Sequence, residues 1–247
     1  MKIHLPRMRS LRLLGLTCAF WSATCLAATP DANVCPATKT SYPPLYDAAL
    51  DTLSLDDLTK RANAGNADAL MLLGLNYTPS PDHDAATALP VDMEMALALF
   101  RKAAKKRHGH AEFLIGVAYM GGAGVDKNEK EAWQWFKRAA NHGSAAGQFW
   151  VGEMLAKGRA GPGDWKGAQP YFIKAAEGGA PDAFVELGYM YSSGITMPVD
   201  FEKAAFCYRQ AMNKSSIASY NLRSLIDRRF VTWQQGDPGV PPKPEAP

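Results

Sequence analysis

The chain repeats itself. Residues His110 to Gly143, HAEFLIGVAYMGGAGVDKNEKEAWQWFKRAANHG, read as helix, glycine-rich turn, helix and loop, and the same pattern returns with a mid-helix glycine at Gly74, Gly116, Gly152 and Gly188, spaced 42, 36 and 36 residues apart. Second-helix alanines fall at Ala96, Ala132, Ala168 and Ala204, and again at Ala103, Ala139, Ala175 and Ala211, every interval being 36. A fixed period of this size marks a solenoid, because each unit can bury its apolar face only against its neighbours. The expected fold is all-α, a right-handed α/α solenoid of about four helix-turn-helix repeats with capping helices. The 247 residues then form one array whose core grows unit by unit, not two domains.

The repeats run over about 66–105, 110–143, 144–179 and 180–215, inside a solenoid spanning 52–230. A lone second-type helix from Thr52 to Ala64 covers the first unit and a single helix near 217–230 closes the last. Apolar residues on each first helix, such as Ala111, Ile115, Gly116 and Tyr119, share one face. Glycine inside a helix costs about 1 kcal/mol against alanine, so its return at one phase predicts close approach of the partner helix backbone. Asp92, Asn128, Asp164 and Asp200 open the second helices as N-caps, and Glu131 predicts a reciprocal capping box with Asn128. Two places break the pattern. A Pro-rich loop, TPSPDHDAATALP, lengthens the first unit, and Pro170 predicts a kinked or late-starting second helix in the third.

Both ends differ from the array. Residues 1–28 carry Lys2, Arg7, Arg9 and Arg12, then an apolar run to about Ala27 and a small-residue site, the pattern of a cleaved secretory signal peptide. The run is shorter than the roughly 20 residues that span a bilayer, so no stable membrane insertion is expected after its removal. Losing four basic residues and no acidic one takes the formal charge from +3 to −1. A near-neutral chain has no electrostatic footprint for nucleic acid. Residues 29–51 read as an extended lead-in and 231–247 as a disordered Pro-rich tail. The exported chain keeps Cys35 and Cys207. An oxidising compartment permits a bridge, but Cys207 shares its register with Leu99, Trp135 and Tyr171, which favours a small buried thiol, and the two stand at opposite ends of the array.

The Ala, Leu-Gly and Tyr of the first helix, the Gly-x-Gly-Val turn and the Lys-Ala-x-x-(Trp/Tyr)-(Phe/Tyr)-x-x-Ala-Ala second helix resemble the Sel1-like repeat, a relative of the tetratricopeptide repeat. Ala111, Ile115, Gly116, Tyr119, Gly122, Gly124, Val125, Ala132, Trp135, Phe136, Ala139, Ala140 and Gly143 carry the match. The resemblance implies a non-catalytic module whose concave groove binds and regulates or neutralises a protein. In exported members that partner is an envelope component or a type VI secretion effector held by its immunity protein. A rarer kind is implied to be a peptidoglycan-related or β-lactam-binding enzyme. Localisation is expected to be periplasmic or secreted, and the protein a monomer on its own.

Chemistry is sparse. No Ser is followed three residues later by Lys, as a penicillin-type acyl enzyme requires, and neither Gly-x-Ser-x-Gly nor His-Glu-x-x-His occurs. His108 and His110, or Asp82, His83 and Asp84 in the inserted loop, are the nearest approach to a metal site, but ordinary loop residues account for both. No catalytic residue, cofactor or metal is expected. Candidate partner contacts are Trp133, Phe149, Trp150, Glu153, Phe184, Tyr189 and Met190, with His83 in the insertion, since aromatic and Met side chains dominate interface energetics. The small alanines opposite large Phe100, Phe136, Phe172 and Tyr208 define the packed face. Ala132→Leu is expected to overpack it by about 1 to 3 kcal/mol, and an unchanged melting temperature would refute that face.

Overall fold

A computed structural model describes residues 35–36, 47–79, 89–232, 234 and 236–237. The expected leader, most of the lead-in, most of the inserted loop with His83, and most of the Pro-rich tail lie outside the described residues. The described residues fall in one compact unit, Ala32–Pro247. They form a 3-10 turn at Ala48–Thr52 and ten α-helices, with no strand among them. The helices are α1 (Leu55–Asn63), α2 (Ala67–Leu75), α3 (Met93–Ala104), α4 (Gly109–Gly121), α5 (Glu129–Asn141), α6 (Ala145–Ala156), α7 (Trp165–Glu177), α8 (Pro181–Ser193), α9 (Phe201–Ala211) and α10 (Ser216–Asp227). Each helix packs on the next in chain order, and α4 also touches α6. This nearest-neighbour packing is that of an all-α repeat solenoid.

The repeated alanines and aromatics build the core. Ala96, Ala132, Ala168 and Ala204 are fully buried, as are Phe136 and Phe172, and Phe100 and Tyr208 nearly so. The glycines have a different reason from the one expected. What closes on Gly116 is not the backbone of the partner helix but the ring of Phe136, to which a Cβ at Gly116 would come within 2.6 Å. The rings of Phe100, Phe172 and Tyr208 stand likewise over Gly74, Gly152 and Gly188.

Each second helix is capped by its acidic or amide side chain. Asp92, Asn128, Asp164 and Asp200 accept from the first-turn amides. Asn128 Oδ1 takes the amides of Lys130 and Glu131. The reciprocal half of the expected box is missing because the Asn128 amide is already spent: it donates to the Tyr119 carbonyl at 2.8 Å. The amides of Asp92, Asp164 and Asp200 donate in the same way to the carbonyls of Tyr77, Leu155 and Tyr191. One residue thus caps the second helix with its side chain and ties it to the first with its backbone.

Two further expectations are corrected. Helix α7 neither starts late nor breaks: Pro170 lies inside a continuous helix capped by Asp164. Pro170 is exposed, as is Lys166, the residue one turn back whose carbonyl loses its helix donor, while Ala168 and Phe172 beside it are fully buried and hold the helix in register. Cys35 and Cys207 are not thiols; they form a disulfide with Cα atoms 5.8 Å apart. The ends of the array are closer than they look in sequence. Five second-layer helices at about 9 Å spacing extend roughly 35 Å, whereas the twelve residue steps from Cys35 to Asp47 can reach about 40 Å.

The glycine contacts lead to a test. Gly116→Ala should lower stability by about 1 to 2 kcal/mol, since overpacking against Phe136 outweighs the helix-propensity gain. Gly121→Ala, where a Cβ meets open space, should instead be neutral or stabilising by up to about 1 kcal/mol. Equal melting shifts for the two variants would remove the packing explanation.

Candidate functional site

The first helices of the second, third and fourth repeats frame a cavity of about 490 Å³. Its apolar wall is His110 and Phe113 from α4 and Phe149 and Trp150 from α6; Ala145, Ala146, Gly178 and Gly179 are too small to fill it. Asp182 and Lys214 stand at its rim, both exposed. The wall is rigid because its rings rest on the core. Trp150 stacks on buried Phe136 at 5.3 Å, Phe113 lies 6.0 Å from the same ring, and Phe149 meets Trp150 edge-on and Phe172 at 6.0 Å. Aromatics fixed in this way lose little entropy when a partner covers them. Helix α8 begins at this cavity without a side-chain cap, since Ala180 occupies the N-cap position and Pro181 follows it.

His110 belongs to this wall. Burial, with a smaller push from His108, lowers its pKa to about 4, so the ring is neutral near pH 7. Its Nδ1 is buried without a hydrogen-bond partner. His108 has no free nitrogen: Nδ1 accepts from the Ala111 amide and Nε2 bonds Asp68 at 2.9 Å. The two histidines therefore serve different ends, and no group of three metal-type ligands occurs among the described residues.

Farther along α6 and α8 the charge of one carboxylate, Glu153, bears on another, Glu186. Glu186 of α8 occupies the register that Trp150 holds in α6 and Leu114 in α4. Burial first, then the charges of Glu153 and Asp182, raise its pKa to about 7, against the pull of Lys157. Glu153 of α6 is buried and its Oε2 is bonded by Lys157, but Oε1 is buried with no partner. Beyond Glu186 lies a second hollow of about 430 Å³ whose lining includes Tyr189, Ser192, Tyr208 and Asn221.

A contrasting charge network pins the second repeat. Glu112 is fully buried, but both oxygens are bonded, Oε1 by Arg138 at 3.0 and 3.2 Å and Oε2 by His142 at 2.5 Å. Arg107 donates to the far side of His142 at 3.1 Å, and Arg138 lies over the Trp135 ring at 4.2 Å. Arg107 has φ +62°, in the register where Gly65, Gly143 and Gly179 take positive φ. Its bond to His142 holds it in a backbone region that costs a non-glycine residue roughly 1 kcal/mol or more. A buried charge so fully paired is structural.

The structure brings Phe149 and Trp150 to this wall and Tyr189 to the second hollow, while Glu153 is buried on α6 and lines neither. Phe184 and Met190 do not reach the wall; at 1% and 0% exposure they are core and have no face to offer a partner. Trp133 sits on α5, half-buried under Lys137, and lines neither hollow. His83 lies outside the described residues. Sequence reasoning missed His110 as a wall residue, and with it Phe113 and Glu186. The signal available for Glu186 was its place in a register otherwise held by Leu72, Leu114 and Trp150.

Comparison with known proteins covers the same region. The family model described as Sel1 repeat matches residues 67–108, 109–144, 145–179 and 181–216. A Sel1 repeat protein from Oxalobacter formigenes is 31% identical over 69% of this chain and 48% of its own, with TM-score 0.60. This chain thus spans about half the length of that relative. A Sel1 repeat protein from Klebsiella pneumoniae is 20% identical over 69% of this chain and 83% of its own, with TM-score 0.45. An immunity protein from Pseudomonas aeruginosa is 23% identical over 78% of this chain and 64% of its own, with TM-score 0.46. A comparison with curated proteins finds no match.

The two perturbed groups give opposite pH dependences. The folded chain holds a proton on Glu186 that the unfolded chain has lost between about pH 4.5 and 7, so stability falls as pH rises through that window. For His110 the unfolded chain holds the extra proton between about pH 4 and 6.5, so stability rises with pH there. Between them the two slopes nearly cancel. Glu186→Gln should expose the rising slope and His110→Phe the falling one, each by about 1 to 2 kcal/mol after allowance for solvent screening. Melting curves from pH 4.5 to 6.5 measure this; three parallel profiles would contradict it.

Proposed function

The chain belongs to the Sel1 repeat family, and from that premise we propose that it is an exported module that acts by holding another protein in the groove of its first helices. The observation that carries the reading is the aromatic wall of His110, Phe113, Phe149 and Trp150 around an unfilled cavity of about 490 Å³. A solenoid has no packing reason to leave such a hollow between consecutive first helices, and rigid aromatics are what interface hot spots are made of. The wall is mostly apolar and aromatic, which suits binding, and its charged groups, Asp182 and Lys214, stand exposed at the rim.

Export is supported from two sides. Residues 1–28 have the composition of a leader, and a Cys35–Cys207 bond persists in an oxidising compartment such as the bacterial periplasm. No helix among the described residues is long and apolar enough to cross a membrane. In such a setting the partner is either a resident envelope protein or an effector delivered from another cell, which the protein would neutralise.

Affinity capture of the tagged full-length gene product from its native envelope, after mild cross-linking, tests this. The groove reading expects one stoichiometric partner, held about tenfold or more less tightly by Trp150→Ala. Ala146→Arg, which plugs the mouth without touching the core, should do the same, and Trp133→Ala should bind as the parent does. A partner retained by Ala146→Arg, in protein that melts normally, would place the interface elsewhere.

A further inference from the structure

We propose that the groove recognises its partner through a lysine or arginine side chain, which inserts between Glu153 of α6 and Glu186 of α8. This inference rests on the groove reading above and adds the chemistry of the contact.

The charges around Glu186 do not balance. Glu153 and Asp182 both act on Glu186, and among the described residues the only cation that does so is Lys157. Lys157 is committed to Glu153 Oε2. Glu153 and Glu186 thus share one ammonium, in a part of the molecule where Glu153 is 91% removed from solvent. Elsewhere this protein does not leave buried carboxylates in that state. Glu112 satisfies both oxygens with Arg138 and His142, and Asp237 receives two nitrogens of Arg209. Glu153 Oε1 has no donor at all. A buried carboxylate oxygen without a donor is destabilising, and a donor reaching it from outside the chain would relieve that.

Glu186 is surrounded by groups that do not neutralise it. Toward α6 it faces Glu153 and Lys157; on its own helix it faces Asp182; toward α9 it faces the Tyr208 hydroxyl, with Tyr189 near by. Tyr208 is engaged with Ser192 and Asn221, and its own pKa is raised, first by burial and further by the charge of Glu186. A cation arriving here therefore meets negative potential from α6 and α8; Lys214 at the rim of the aromatic cavity and Arg228 in the second hollow are the other cations near by, and neither acts on Glu186. Glu186 itself is only partly buried. It lies in the register of Trp150, between the aromatic cavity that Asp182 rims and the hollow containing Tyr189 and Tyr208. A long basic side chain can lay its methylenes along those rings while its head reaches the carboxylates. Guanidinium fits best, because its planar fork can serve Glu153 Oε1 and Glu186 together.

Glu186 then works as a gate on affinity. Protonated, it offers half a site; ionised, it completes the pair. Binding should strengthen as pH rises from about 6 to 8, through the raised pKa of near 7.

The test uses the mature protein and Nα-acetyl-argininamide as probe, with Nα-acetyl-citrullinamide, its neutral isostere, as the control at matched ionic strength. The carboxyl carbon of Glu186 is followed by NMR through a pH titration. Argininamide should lower the titration midpoint of Glu186 by about one pH unit, and citrullinamide should leave it in place. Glu153→Gln, which keeps the shape, should weaken argininamide binding about tenfold. An unmoved midpoint in folded protein overturns the cation site, whatever the capture experiment finds. A moved midpoint together with capture that ignores Ala146→Arg leaves the cation site standing and removes the groove reading alone. Equal shifts from argininamide and citrullinamide also overturn it, because the contact would then not depend on charge.

Discussion

The contact on which the rest of the molecule depends is an aromatic ring laid on a glycine. In each repeat the large residue of the second helix, Phe100, Phe136, Phe172 or Tyr208, covers the bare Cα of Gly74, Gly116, Gly152 or Gly188. The ring fills the space that a side chain would have taken, so the helices pack at a distance fixed by ring thickness. At that distance the N-cap residue of the second helix is close enough to donate its amide to a carbonyl near the end of the first. Ring, glycine and amide therefore set one geometry four times. An array of such units adds stability roughly as a sum of repeats and interfaces, and it accepts variation wherever a residue lies outside those three elements.

The units differ from one another in that permitted variation. The register two residues before the glycine reads Leu72, Leu114, Trp150 and Glu186. The backbone presents all four in the same way, and the wall changes from aliphatic through aromatic to acidic along the array. The two carboxylate systems differ in the same sense. Glu112 is buried, doubly bonded and closed to any newcomer, while Glu153 is buried and half served. Burial of charge is tolerated in both cases, but only in the first does the chain itself supply the compensation.

The repeat register was legible because each of its elements is a local physical demand. Ala132 is small because Phe136 is large one turn on, and Asp164 precedes a helix because free amides need an acceptor. What stayed hidden depended on relations between units. First helices are packed on two sides, so apolarity alone could not separate Trp150, on the groove wall, from Phe184 and Met190 in the core. The role of His110 needed Ala145, Ala146 and Gly179 to be seen leaving space in front of it. Glu131 carries the sequence of a capping box, but the amide it would have bonded was taken by Tyr119, a residue of the neighbouring helix. Pro170 looked disruptive because propensity counts the lost hydrogen bond without asking whether the orphaned carbonyl can reach water.

The disulfide is the largest departure from local logic, and it alters what a solenoid ordinarily is. An open array frays from its ends, because a terminal unit has only one neighbour. Here Cys207, in the last full repeat, is bonded to Cys35, twelve residues ahead of the turn that precedes α1. The bond closes a loop across a sequence separation of 172 residues that contains every groove helix. In the chain-entropy account a loop of that size is worth about 5 kcal/mol. That is comparable to the whole stability of a small domain. Because the constraint is set between the ends, it acts on the array as a whole and opposes separation of any pair of repeats. A groove framed by three consecutive first helices needs that restraint more than an isolated helix pair does, since opening any one interface changes the distance between its walls. Oxidation thus stabilises the array on which Trp150 and Glu186 are presented.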